Sequence, residues 1–214
     1  MSSRSLILEN LRSSAPQTKS ESIVAPFTIG PGAVDLFEEK ATAAGAKVLI
    51  VDGLPAAQDK IKEILAEVAG DIIYSGDEFL KELQLKDIID TSNRTASEVH
   101  LENSADYRKI VFAAAIGITS CHYAIAESGS VVIEHQHNNE RLVSLAPETY
   151  ICILREEQIL ENRYMMAQII EEKAKLPSAF TLITGVSRTA DVALQVVLGM
   201  HGPKNVYLIV CKNI

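Results

Sequence analysis

The sequence predicts an α/β fold, an open, mostly parallel sheet covered by helices. Three observations predict it. Short, nearly continuous apolar runs such as Lys47–Val51 and Val206–Val210 read as strands buried on both faces. Longer segments carry apolar residues at helical spacing, as Ile61, Ile64, Leu65 and Val68 do within Pro55–Ala69. The two patterns alternate along the chain, and such alternation builds a parallel sheet with helices on its faces.

The elements follow in order. Residues 1–13 read as a short helix with partial 3.6 periodicity in Leu6, Ile7, Asn10 and Leu11. Residues 13–32, rich in Ser, Pro and Thr and closing on Gly30-Pro31-Gly32, read as a linker or surface arm. Residues 1–30 are therefore assigned to an arm and 31–214 to one α/β domain. Ala33–Ala44 reads as a helix that Gly45 stops. Lys47–Val51 is a strand, and Pro55–Ala69 is a helix with Pro near its first turn. Ile72–Tyr74 reads as a strand, Asp77–Leu85 as a helix and Asp87–Asp90 as a further strand edge. Val111–Ile118 is apolar and rich in small residues. Gly129–Ile133, Arg141–Ser144 and Tyr150–Leu154 read as strands, and Ile159–Lys175 as a long amphipathic helix. Thr181–Ile183 is a strand, Thr189–Leu198 a helix and Val206–Val210 a closing strand.

Composition removes several function classes. The 214 residues carry 20 Lys+Arg against 28 Asp+Glu, a net charge of −8. Nucleic-acid binders concentrate positive charge, so no nucleic-acid partner is expected. Hydrophobic residues make up 47%, enough for a sizeable core. No apolar run reaches the roughly 20 residues of a membrane helix. The N-terminus lacks signal-peptide features, so a cytoplasmic location is expected. Cys121, Cys152 and Cys211 are far apart and form no C-x-x-C, so no metal or iron–sulfur site and no cofactor are expected on this chain.

In open α/β sheets, ligands bind beyond the carboxyl ends of the strands. That directs attention to residues just after strands. Thr184–Asp191 follows a strand and opens the expected helix. Gly185 allows a tight turn, Ser187 or Thr189 can cap the helix, and Arg188 adds a fork for a carboxylate or phosphate. Helix N-termini favour anions. The plain alternative is an ordinary cap with a solvated Arg. The segment is neither a P-loop nor G-x-G-x-x-G.

Glu127, followed by Ser128 and Gly129, stands in a small-residue loop before a strand. Its carboxylate can act as nucleophile or general base, or simply accept loop N–H groups. His201 in Gly199-Met200-His201-Gly202-Pro203 can shuttle a proton, or mark helix-ending chemistry, with Gly199 as the C-cap. His135 and His137 would share a strand face, but Glu134–Glu140 reads as a polar hairpin tip. Cys121-His122 does not form a dyad, and no G-x-S-x-G elbow is present.

Four segments in series resemble the LUD domain family, that of lactate utilization protein C: Ala124–Val132, Arg141–Pro147, Gly185–Val192 and Gly199–Pro203. The likeness spans roughly residues 30–214. This chain has Ser128 where the family usually has Thr, and Val186 where it usually has Pro. The resemblance implies a fold like that of CoA transferases, ribose-phosphate isomerases and glucosamine-phosphate deaminases. It also implies a role in oxidising L-lactate to pyruvate beside iron–sulfur partner proteins. The loop carrying Glu127 resembles the one that bears the catalytic glutamate of CoA transferases, an analogy at the level of fold.

Three functional readings follow. The first is a component of cytosolic lactate oxidation. It would bind a small carboxylate or phosphate at the strand ends, with Arg188 holding the anion and Glu127 and His201 facing it. Gly185, Ser187, Thr189, Ser128 and Gly129 complete that expected site. The second is a free-standing CoA-transferase-like or sugar-phosphate isomerase-like enzyme. The third is a non-catalytic scaffold for an iron–sulfur partner. The oligomeric state is not readable from the sequence.

Overall fold

The computed structural model describes residues 3–14, 33–99, 106–136, 141–190 and 196–214. The expected linker at 13–32 lies outside the described residues, apart from its first two positions, which end α1. The helices are α1 Ser3–Ser14, α2 Ala33–Ala43, α3 Gly53–Glu67, α4 Glu78–Glu82, α5 Leu85–Thr91, α6 Tyr107–Ala113, α7 Arg141–Leu145 and α8 Arg163–Glu172. The strands are β1 Lys47–Asp52, β2 Ile72–Ser75, β3 Ala96–Val99, β4 Ile116–Ser120, β5 Tyr123–Ile125, β6 Ser130–His135, β7 Thr149–Arg155, β8 Ile159–Leu160, β9 Ala179–Thr184, β10 Arg188–Ala190, β11 Val196–Leu198 and β12 Asn205–Lys212.

The main sheet has six strands in the order β1-β12-β7-β4-β2-β3. Every pairing in it is parallel. The expected open parallel sheet is therefore present. Side chains on a strand alternate between faces, so continuous apolar runs serve two cores. On β7, Ile151 and Ile153 face one core and Tyr150, Cys152 and Leu154 face the other. Tyr207, Ile209 and Cys211 on β12 alternate in the same way with Val206, Leu208 and Val210. The first core is closed by α3, α4 and α5, through Ile61, Leu65, Leu80 and Ile88. The second is closed by α2, through Phe37 and Ala41, and by a second sheet. β1 reads in sequence as a buried strand, but it is an edge strand, and Val48, Leu49 and Ile50 are only half-buried.

The second sheet, in the order β8-β5-β6-β9, was not expected as a separate layer. Ile125 and Val132 face away from the main core and pack on Met165 and Met166 of α8. The molecule thus stacks helices, the parallel sheet, the smaller sheet and α8.

Four local expectations are corrected. Asp87–Asp90 is not a strand but part of α5. Leu85, Ile88 and Ile89 are buried at helical spacing, and Gln84, at φ 55, breaks this helix from α4. The outer strand is instead β3, whose residues are half-buried and weakly apolar. Arg141–Ser144 is not a strand but α7. Val143 packs on the sheet face with Ile73, Tyr107 and Val111, while β4 and β7 pair directly and leave no gap between them. A short apolar run is ambiguous between the two states.

The expected helix Ile159–Lys175 starts only at Arg163. Ile159 and Leu160 pair with Ala124 and Ile125, and Asn162 caps the helix by accepting from the Tyr164 and Met165 N–H groups at 3.0 and 3.3 Å. Finally, Thr189–Leu198 is not a continuous helix. Arg188–Ala190 pairs antiparallel with Val196–Leu198, and residues 191–195 lie outside the described residues. Branched valines at 196 and 197 favour that pairing over a helix.

Candidate functional site

The chain leaves β2 for β3 on one side, returns to β4 on the other side of β2, and moves on to β7. The gap between the carboxyl ends of β2 and β4 is thus a topological switch point, where open α/β sheets form their crevice. A cavity of about 780 Å3 opens there. Its polar lining includes Ser75, Asp77, Glu98, Ser120 and His122, with Glu134 and His135 from the end of β6. That volume suits an organic ligand.

Asp77 ties the crevice together. Its carboxylate accepts from the Ser75 hydroxyl at 2.6 Å, the Leu80 N–H at 3.0 Å and the Ser120 N–H at 3.3 Å. It caps α4 and joins the β2 loop to the end of β4. The Glu98 side chain lies across Gly76, so that a Cβ there would sit 2.2 Å from its Oε1. Burial, with the Glu98 carboxylate beside it, pushes the Tyr74 hydroxyl above its ordinary value.

The far wall is built by β6. The Glu134 N–H donates to His122 Nδ1 at 3.2 Å, so a neutral His122 carries its proton on Nε2 and can donate there. The buried Glu134 carboxylate pairs with Lys173 at 2.8 Å, and that contact raises the Lys173 ammonium above its ordinary range. His135 is buried, with Nε2 2.9 Å from the Thr181 hydroxyl. Burial, then the charges of Arg141 and His122, lower its pKa to about 4, so the ring is neutral at physiological pH. The expectation of a polar hairpin tip fails for Glu134 and His135, which end a buried strand. His137 lies outside the described residues. Among the described residues, no group of three or more His, Cys, Asp or Glu side chains is placed to hold a metal. The three cysteines are buried free thiols. Burial pushes Cys121 well above its usual range and Cys211 up to about 11.

The residues of the anion site expected from the sequence lie elsewhere, and none of them lines this cavity. Gly129 and Gly185, both at positive φ, press on the end of α2. A Cβ on them would come 2.1 Å from Ala41 N and 2.1 Å from Ala44 O. The Ser128, Ser130 and Thr184 hydroxyls form a chain between these two glycines, at 2.7 and 2.6 Å. Arg188 is exposed, and its guanidinium lies over Gly45, so it sits near the C-terminal end of α2 and not at a helix N-terminus. Cations are favoured at helix C-termini. Thr189 lies opposite Val197 in the β10–β11 ribbon. The structure does bring Ser187 and His201 together, because the His201 N–H donates to the Ser187 hydroxyl at 3.3 Å.

Glu127 lies beyond the opposite end of β6 from His135. It is exposed, and it accepts the Arg163 N–H at 3.2 Å beside the Asn162 cap, at the start of α8. A Glu127→Gln variant separates a helix-terminal role from a catalytic one. Loss of the charge at the helix N-terminus costs about 0.5 kcal/mol. The expected result is that small loss in urea denaturation with ligand binding intact. Abolished binding or activity at wild-type stability would assign Glu127 to catalysis.

Sequence reasoning named the strand ends but missed Ser75-Gly76-Asp77. The signal was there: a Ser-Gly-Asp step directly after the apolar Ile72–Tyr74 run and before a helix.

Fold and crevice together define an α/β protein of the open-sheet class with a cavity at its switch point. The LUD domain model matches residues 34–211, and the chain belongs to the LUD domain family. Lactate utilization protein C of Anoxybacillus flavithermus is 29% identical over 158 residues, covering 72% of this chain and 69% of that protein. Lactate utilization protein C 1 of Bacillus mycoides is 32% identical over 164 residues, covering 70% of each. The crystal structure of a DUF162 family protein from Deinococcus radiodurans aligns with a TM-score of 0.55 at 20% identity, over 84% of this chain and 96% of that one. Among the described residues no helix is long and apolar enough to cross a membrane.

Proposed function

We propose that this chain acts in lactate utilization, as a component of the oxidation of L-lactate to pyruvate. One observation carries the reading: its likeness, over more than two thirds of each chain, to proteins named lactate utilization protein C. Oxidation of lactate releases two electrons and two protons, and the electrons need an acceptor. The chain has three cysteines and no C-x-x-C, which supports a division of labour with separate iron–sulfur proteins. Its own part is to bind a small anionic ligand at the strand ends in the cytoplasm, and the cavity between β2 and β4 is where it does so.

The test is growth on L-lactate as sole carbon source. A strain lacking the gene fails to grow, and wild-type protein restores growth. Ser120→Phe, which fills the cavity from the end of β4, does not restore it at equal protein level. Normal growth of the deletion strain overturns the reading. Full restoration by Ser120→Phe would remove the cavity from it. Iron–sulfur proteins should co-purify with the tagged chain from its native cell.

A further inference from the structure

The large cavity is poorly matched to lactate alone. Lactate fills on the order of 100 Å3, whereas a cavity of this size suits a drug-sized ligand. Its charged lining also keeps the anionic group of the ligand at the mouth, outside the large cavity itself. Asp77 and Glu98 contribute carboxylates, the Glu134 carboxylate is already paired with Lys173, and no Lys or Arg is among the described residues that line it. A second cavity of about 290 Å3 adjoins it and shares Ser75, Gly76 and Glu98. This one is lined by Lys81 and Lys86, beside Asp87.

The two cavities thus present three environments in a row. The large one has an apolar wall of Val99, Ile133 and Val143. At the shared boundary lies the Glu98 carboxylate, over Gly76. Beyond it are two lysines. We infer that the site takes a nucleotide, with its base in the large cavity, its ribose diol on Glu98 and its phosphate toward Lys81 and Lys86. The order of the subsites matches the covalent order of base, sugar and phosphate. A carboxylate accepts two vicinal hydroxyls, as acidic residues do for ribose in other switch-point sites. The phosphate is kept from the large cavity by like charge and is drawn to the lysines.

This deepens the reading that the strand-end cavity is the ligand site, and it is tested separately from the lactate role. The full chain is titrated with AMP, GMP and UMP, with the matching nucleosides, with inorganic phosphate and with L-lactate, by calorimetry and thermal shift. At least one mononucleotide binds ten or more times more tightly than its nucleoside, while phosphate or lactate alone does not bind in the cavity. Gly76→Ala displaces the flexible Glu98 carboxylate without changing charge, because the added Cβ would sit 2.2 Å from it. It weakens nucleotide and nucleoside alike by about tenfold, with the unliganded Tm unchanged. Lys81→Ala/Lys86→Ala weakens the nucleotide by about tenfold or more and leaves the nucleoside unaffected. The inference is overturned if no mononucleotide binds at about 10 mM, where even weak ligands shift the Tm. It also falls if either variant leaves nucleotide affinity at the wild-type level. Nucleotide binding by a protein whose loss leaves growth on lactate intact would refute the lactate role and leave this inference standing. Lactate-dependent growth with no nucleotide binding would do the reverse.

Discussion

Gly129→Ala and Gly185→Ala each lower the melting temperature by roughly 5–15 °C, a loss of about 2–4 kcal/mol. Two costs add at each position. Gly129 has φ 63 and Gly185 φ 65, a conformation that costs an L-residue about 1 kcal/mol or more. The new Cβ also meets backbone, at 2.1 Å from Ala41 N or from Ala44 O, and backbone cannot rotate away as a side chain can. Overpacking of that kind costs about 1–3 kcal/mol. Both glycines seat the same last turn of α2, whose Phe37 and Ala41 are fully buried in the second core. The double variant should therefore lose less than the sum of the singles, because α2 can be displaced only once. Gly202→Ala is the control from the same sequence signature. Its nearest neighbour would be the Ser187 Cβ at 3.3 Å, without a positive φ, and its Tm should barely move. Three equal shifts in thermal denaturation would show that backbone strain at α2 is not the cause.

That contrast bears on how function was legible in the sequence. The strands of the main sheet were legible where burial on both faces leaves an unbroken apolar run, as in β7 and β12. The edge strand β1 was legible because it keeps an apolar run, whereas the half-buried edge strand Ala96–Val99, with Ser97 and Glu98 in it, was not. Helical spacing correctly marked α3. It misled for Thr189–Leu198, where described residues at both ends form a ribbon, and for Ile159–Leu160, which β5 recruits as a strand. For Ile159–Leu160 the deciding partner is distant in sequence, and local pattern carries no trace of it. The Gly129 and Gly185 segments stood out in the sequence for their glycines. In the structure these glycines are required where two chain segments touch one helix end. The strand-end rule pointed to the right region, but the residues that build the crevice, Ser75, Asp77, Glu98 and Ser120, come from three strands and share no local motif.

Asp77→Ala should cost about 2–3 kcal/mol and open the crevice. A helix N-cap contributes about 1 kcal/mol, and a charge-assisted bond to a backbone N–H adds more. Asp77 makes both, to the Leu80 and Ser120 N–H groups, and accepts the Ser75 hydroxyl as well. Replacement series can separate these contacts. Asp77→Ser retains a good cap for α4 but is too short to span to β4, so it recovers only the capping share, about 1 kcal/mol. Asp77→Asn keeps one oxygen for the Leu80 N–H and turns its NH2 toward the Ser120 N–H, two donors face to face. Urea denaturation should therefore rank stability as Asp, then Asn and Ser, then Ala. Ligand affinity should fall in all three variants, because each loses the bond that fixes the β4 end against the β2 loop. If Asp77→Ser matches wild type in both stability and binding, Asp77 is a helix cap and nothing more. The crevice would then owe its shape to the parallel pairing of β2 with β4 alone.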